Sequence, residues 1–253
     1  MTDPLLVTED LTKRFEALTA VDGVSLTIPA GGITAVIGPN GAGKTTLFNI
    51  LTGKLRPDQG TIQFRGERID GKQPHEIVRD GIARSYQITN FFPELTVLEN
   101  ARLAAQQRHT GFGLRDLLGH YSGLSEPIDA ARSVLDSVDL KAEAESLAST
   151  LSHGQRRHLE VGIALASEPD LLLMDEPTAG MSPEETVEMT QLIESIAADT
   201  TLVLVEHDME VVMNVSDRVA VMNQGQLLTV DTPAAVREDE TVQRAYFSGG
   251  GGA

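Results

Sequence analysis

The residues best suited to chemistry are Gly38, Pro39, Asn40, Gly41, Ala42, Gly43, Lys44, Thr45 and Thr46. They follow the apolar run Ile33-Thr34-Ala35-Val36-Ile37 and precede Leu47-Phe48-Asn49-Ile50-Leu51, an order that reads as strand, loop, helix. Their spacing fits G-x-x-x-x-G-K-[ST], in which glycines let backbone N–H groups turn inward on a phosphate. The N-terminus of the following helix adds partial positive charge. In such a loop Lys44 neutralises the β- and γ-phosphates, and Thr45 offers a hydroxyl to Mg²⁺. The chemistry implied is that of a bound nucleoside triphosphate.

Two further sets of acids stand at strand ends. Leu171-Leu172-Leu173-Met174 is a buried-strand run that ends in Asp175-Glu176. In open α/β sheets that is where ligands bind, so Asp175 suits Mg²⁺ and Glu176 suits an attacking water. The alternative is two solvated acids at a strand end, a reading that the presence of the phosphate loop disfavours. Thr201 to Val205 is a second such run and ends in Glu206-His207-Asp208. His207 there reads either as a γ-phosphate contact or as a structural histidine. Phe15 stands between two strand-like stretches and suits a core position or an adenine stack. Gln87 reads as a polar loop residue.

The positioning elements follow from periodicity. Val24, Leu26 and Ile28 alternate as in a half-buried strand, and Thr61 to Phe64 is another strand between turns. His75 to Ala83 reads as a helix. Thr96 starts a helix to Gln107, with Glu99 completing a capping box. Residues 109–127 read as irregular, and Ile128 to Val138 and Lys141 to Ala148 as helices. The middle third thus predicts a helical part inserted into an α/β core. Ser152 caps a helix to Ala166, and Ser182-Pro183-Glu184-Glu185 opens another to about Ala198. His153 lacks His158 or His207 at ligand spacing, which argues against a metal there. Arg218 to Val230 predicts a hairpin, Thr232-Pro233 a last helix, and residues 248–253 a flexible Gly-rich tail.

GPNGAGKTT at 38–46, Gln87, LSHGQ at 151–155, LLLMDEPT at 171–178 and His207 together make a chain that resembles an ATP-binding cassette (ABC) ATPase over essentially its whole length. The LSHGQ stretch separates that family from other phosphate-loop ATPases. The resemblance implies a phosphate-loop NTPase (RecA-like) α/β core with an N-terminal antiparallel β subdomain and an inserted α-helical subdomain. It implies one nucleotide-binding domain over residues 1–247, with the helical part at about 88–167. ATP and Mg²⁺ are the implied cofactors. Phe15 becomes the adenine-stacking aromatic, Glu176 the general base and His207 the switch histidine. Thr45, Gln87 and Asp175 become the Mg²⁺ ligands, and Gln87 also touches the attacking water and reports on a membrane domain.

Ser152, His153, Gly154 and Gln155 resemble the signature that meets ATP bound to a second ATPase subunit, in a head-to-tail homo- or heterodimer. His153 stands at the first Gly of the usual LSGGQ, and Ala179-Gly180-Met181-Ser182 occupies the place of the usual SALD loop. The chain is most similar to the longer ATPase of branched-chain amino-acid importers, on FPELTVLEN at 92–100, RRHLEV at 156–161, AGMS at 179–182, EHDM at 206–209 and VQRAYF at 242–247. Urea and amide importers, and lipopolysaccharide export, use similar ATPases. The implied partners are a membrane permease and, indirectly, an extracellular binding protein, with Phe91, Phe92 and Leu95 as permease contacts. The implied place is the cytoplasmic side of the membrane. A non-transport ABC ATPase is the competing reading, but no long coiled-coil insert or second cassette is present.

At 41% hydrophobic and 23% charged the chain is globular in composition. No apolar run approaches the roughly 20 residues that span a bilayer, and MTDPLLVTED lacks a basic, signal-like start. A soluble cytoplasmic protein is expected. With no Cys, disulfides and thiolate chemistry are excluded. A net charge of −17 repels phosphate backbones and argues against nucleic acid as a partner. Lysine is confined to Lys13, Lys44, Lys54, Lys72 and Lys141. Such a surface suits a high-salt medium that screens its self-repulsion, or it is a plain acidic bias. Unfolding at low and at molar salt separates the two: a salt-adapted chain gains stability with salt, whereas equal stability in both leaves the plain bias.

Overall fold

The computed structural model describes residues 4–85, 91–109 and 125–247. Two sheets organise it. Strands β1 (Pro4–Phe15), β2 (Leu18–Pro29), β4 (Gln59–Phe64) and β5 (Glu67–Arg68) form an antiparallel sheet in the order β2-β1-β4-β5. The second sheet holds β3 (Ile33–Ile37), β6 (Ile82–Ser85), β7 (Leu171–Asp175), β8 (Thr201–Val205), β9 (Arg218–Asn223) and β10 (Gln226–Asp231). Its order is β10-β9-β3-β8-β7-β6, parallel from β9 to β6, with β10 an antiparallel edge.

Every residue of β3, β7 and β8 is buried, as a parallel strand covered on both faces requires. Side chains alternate across the sheet. Leu171, Leu173, Val203 and Val205 pack on one face with Phe48 of α1 (Lys44–Leu51), Leu6 and Ile62. Leu172, Met174, Leu202 and Leu204 pack on the other with a helical layer. That layer contains α3 (Val97–His109), α4 (Ser125–Ser137), α5 (His153–Leu165) and α6 (Pro183–Ala197). Between β6 and β7 the described chain holds α3, α4 and α5 and no strand, which bears out the expected inserted helical part.

Several local expectations hold. The Thr96 hydroxyl accepts the Glu99 N–H at 3.1 Å. Ser152 and Ser182 cap α5 and α6, each with a capping box completed by Gln155 and Glu185.

Others are corrected. The helix expected over His75–Ala83 ends earlier: α2 covers Pro74–Asp80, Gly81 closes it at φ 108°, and Ile82 and Ala83 pair with Leu171 and Leu172. A left-handed glycine is a helix stop, and the residues beyond it are free to join the sheet edge. Lys141–Ala148 is no continuous helix. It holds a 3₁₀ turn at Lys141–Glu143, and a second turn, Ala148–Thr150, comes after it. The carbonyls of Ala144 and Ser146 are instead bonded to the Leu98 and Val97 amides, donors that the start of α3 leaves open. Within the stretch expected to be irregular, α4 already begins at Ser125, and residues 110–124 lie outside the described residues.

After α7 (Met209–Val215) and β10, the expected last helix is two, α8 (Pro233–Glu238) and α9 (Glu240–Phe247). Asp239 is extended at the break, and its carboxylate accepts the Thr241 N–H at 2.7 Å. The Gly-rich tail lies outside the described residues.

Candidate active site

The phosphate loop joins the C-terminal end of β3 to α1. Gly43 caps α1 in the left-handed region at φ 100°, and a Cβ there would overlap the Ala20 carbonyl. Gly38 is equally hemmed: a Cβ on it would overlap the Met222 carbonyl. Glycine at both places is therefore a steric demand of the loop's close packing. No side chain caps α1, so the donors of its first turn are left for an anion. Lys44 Nζ lies 2.6 Å from the Gly38 carbonyl and 3.2 Å from that of Pro39, held over the loop. Burial lowers the Lys44 pKa, and the nearby carboxylates of Glu176 and Asp175 raise it in part. That coupling places the lysine and the two acids in one electrostatic site.

The acids arrive by strand pairing. Asp175 ends β7 opposite Val205, the last residue of β8, and the Glu176 N–H donates to the Val205 carbonyl at 2.8 Å. Glu176 itself has φ 49°. This left-handed backbone turns the chain off the strand end. His207 lies two residues beyond β8, and its Nε2 is 2.6 Å from Glu176 Oε1. The loop, Asp175, Glu176 and His207 thus meet at one edge of the sheet, as their places at strand ends led us to expect.

Three further side chains have partners that no sequence spacing indicated. Arg84, on β6, sits beside Asp175 because β6 pairs with β7. Its guanidinium reaches Asp175 Oδ2 at 2.5 Å and Asn49 Oδ1 at 2.8 Å, and lies over the Phe48 ring, 5.4 Å from its centre. Both charges are nearly dry, with side-chain exposures of 5% for Arg84 and 9% for Asp175. Glu206 is buried between Thr178 and His207. Glu185, legible only as half of a capping box, also accepts the Gly154 N–H at 3.2 Å.

The α5 N-terminus is a separate arrangement. The Ser152 hydroxyl accepts the Gln155 N–H at 3.2 Å, and the Ser152 N–H donates to Gln155 Oε1 at 3.0 Å. Gln155 also donates to Glu143 Oε1 at 3.2 Å. His153 faces the loop before α6, with Nε2 at 3.7 Å from where a Cβ on Gly180 would stand. The Ser182 amide foremost, and the Gly154 amide with it, hold the Glu185 carboxyl below the usual carboxylate range. Among the described residues no hydrogen bond joins this end of α5 to the phosphate loop. The contacts that the structure gives this end of α5 run to Glu143, Glu185 and the loop at Gly180.

Phe15 stands at the end of β1, 43% exposed, with Lys13 Nζ 5.8 Å from its ring centre. That rules out the core reading of this residue. Gln87 lies outside the described residues. No cluster of three or more His, Cys, Asp or Glu able to hold a metal occurs among the described residues.

The profile of the ABC transporter family matches residues 21–179. The chain belongs to the ABC transporter family. It is similar to the high-affinity branched-chain amino acid transport ATP-binding protein LivG of Escherichia coli (strain K12), 41% identical over 98% of this chain and 99% of that protein. BraF of Pseudomonas aeruginosa, of the same description, is 40% identical over 98% and 99%. Among solved structures, the ADP conformation of an ATP-binding cassette of an ABC transporter superposes with TM-score 0.85 at 31% identity, covering 97% and 99% of the two chains. A dimeric post-hydrolysis cassette bound to ADP and Pi gives 0.75 at 25%, covering 90% and 98%. As a cassette of this family the chain is an ATPase.

Arg84 and Asp175 are a desolvated pair, so removing one partner strands the other. Arg84→Met is expected to lower stability by about 3 to 5 kcal/mol in urea unfolding at neutral pH. Arg84→Lys should recover little of it, because a lysine cannot fork between Asn49 and Asp175. A loss below about 1 kcal/mol for Arg84→Met would show that the pair does not hold this edge together.

Proposed function

We propose that this chain is the ATP-hydrolysing subunit of an importer of branched-chain amino acids, working at the cytoplasmic face of a membrane permease. The observation that carries the substrate class is the likeness to LivG and BraF along nearly the entire chain. The site geometry supports the motor. ATP places its phosphates on Gly38–Thr46 and α1, and Phe15 stacks on the adenine. Lys44 balances β- and γ-phosphate charge.

The hard oxygen donors at the site, the Thr45 hydroxyl and the Asp175 carboxylate, fit Mg²⁺, which takes one or two carboxylates and fills the rest with other oxygens from protein, phosphate and water. Thr45, Asp175 and Gln87 would hold it, and bound there it would offset charge on the β- and γ-oxygens. Glu176 accepts the proton of the attacking water as that oxygen bonds to the γ-phosphorus and the bond to the β–γ bridging oxygen breaks. His207 holds Glu176 and contacts the γ-phosphate. The chain works as one nucleotide-binding domain, with the helical part over about residues 88–167.

A second ATPase subunit, of this chain or of a related one, completes the site. Ser152, His153, Gly154 and Gln155 meet the γ-phosphate of ATP bound to that partner. A carboxylate seated on the Gly154 amide supports this reading, since it uses the α5 N-terminus as an anion site. The permease docks against the segment that carries Phe92 and Leu95. Phe92, 59% exposed, fits such a contact, but Phe91 is buried and is withdrawn as one. Among the described residues no helix is long and apolar enough to cross a membrane, in keeping with a peripheral subunit.

Two measurements test this. Glu176→Gln is expected to keep ATP binding, lose roughly a hundredfold or more of hydrolysis, and accumulate an ATP-bound dimer. Near-normal turnover would remove Glu176 from its role. Affinity purification from native membranes is expected to recover permease subunits with a second cassette ATPase. Recovery of a soluble partner and no membrane protein would refute transport and leave the ATPase standing.

A further inference from the structure

Glu206 lies immediately before His207 and just past the end of β8. It is 3% exposed, and three donors converge on it. Oε1 accepts the Thr178 N–H at 3.0 Å and the Thr178 hydroxyl at 2.7 Å. Oε2 accepts the N–H of His207 at 3.0 Å. One side chain therefore ties two segments that leave adjacent strands. The first begins at Glu176, passes Thr178 and Gly180, and reaches the cap of α6 at Ser182. The second carries His207. Backbone pairing fixes the strands only as far as Glu176 and Val205. Beyond that point, the Glu206 carboxylate is what links the backbone at His207 to the loop.

We infer that Glu206 is a positioning residue for ATP hydrolysis: by bonding Thr178 and the His207 amide together it sets the His207 ring on Glu176. The inference rests on the roles read above for Glu176 and His207. A buried carboxylate accepting three hydrogen bonds resists rearrangement, because each donor it abandons is left unpaired in a dry site. The 2.6 Å contact of His207 with Glu176 is then maintained from behind, by a group that never meets the nucleotide. The same link joins His207 to the loop at Thr178, two residues before Gly180, which lies beside His153 on the side read as facing a second subunit.

The test uses the full chain, with steady-state ATPase assays and nucleotide binding measured separately. Thr178→Val removes one donor to Glu206 at nearly constant volume, whereas Thr178→Ser keeps it. Glu206→Gln sets an amide N–H₂ against at least one of the two backbone N–H groups. Thr178→Val and Glu206→Gln are each expected to lower kcat by about tenfold with ATP affinity unchanged, as small misplacements of a reacting group do. Thr178→Ser is expected to keep the wild-type rate. In a His207→Ala background, with residual turnover read by radiolabelled phosphate release, Thr178→Val should cost nothing further.

An equal loss from Thr178→Val in both backgrounds would mean a structural role only and overturn the inference. So would wild-type kcat in Thr178→Val. If Glu206→Gln fails to fold, the threonine variants decide alone. Failure of the underlying reading looks different: His207→Ala itself would then turn over at the wild-type rate.

Discussion

The site depends on one ladder, the parallel pairing of β3, β8 and β7. Ile33 to Val36 run beside Leu202 to Val205, and Leu171 to Asp175 beside Thr201 to Val205. Parallel strands point their C-terminal ends the same way. The phosphate loop, the acid pair and the histidine, each grown from a different strand end, therefore have to emerge together. The register is held by burial on both faces: a slip of one residue would exchange the Leu172 and Leu173 environments, which belong to different cores. Apolar packing far from any nucleotide thus sets which polar groups can meet.

Burying that edge concentrates charge in a dry place. Asp175 is balanced by Arg84, which is in turn held by Asn49 and the Phe48 face. Lys44 stands close enough to both acids for them to oppose the effect of its own burial. Asp175 and Glu176 therefore sit beside fixed cations before nucleotide arrives. Their partners come from β6 and α1, elements that precede the chain's long helical excursion, while the acids themselves come after it. A ligand bringing three phosphates enters a site where Asp175 is already paired and the donors at α1 are open.

The α5 N-terminus shows the complementary situation. Two capped helices meet there, with Ser152 and Gln155 closing α5, and Ser182 and Glu185 closing α6. Glu185 serves both, since its second oxygen takes the Gly154 amide. Ser182 is occupied as a helix cap. The loop from Glu176 to Ser182 thus connects the Glu176–His207 contact at one end to the α5 N-terminus at the other, and Glu206 fastens it near its start.

What the amino-acid sequence determined alone was local. The loop glycines, the caps at Thr96, Ser152 and Ser182, and the buried runs ending in Asp175 and Val205 are set by backbone preference and side-chain period within a few residues. The family likeness adds the order in which such pieces occur. Tertiary structure alone decided which distant groups would be desolvated together. Arg84 beside Asp175, Glu206 between Thr178 and His207, and Glu185 on Gly154 join residues that no periodicity relates. The same holds for Lys141–Ala148, whose helical pattern gave way because its carbonyls were needed at the start of α3. It holds for Phe91 and Phe92, adjacent and identical, one buried and one exposed. In each case the outcome depends on competition for partners in the folded interior, and those partners are assembled only when the sheet has formed.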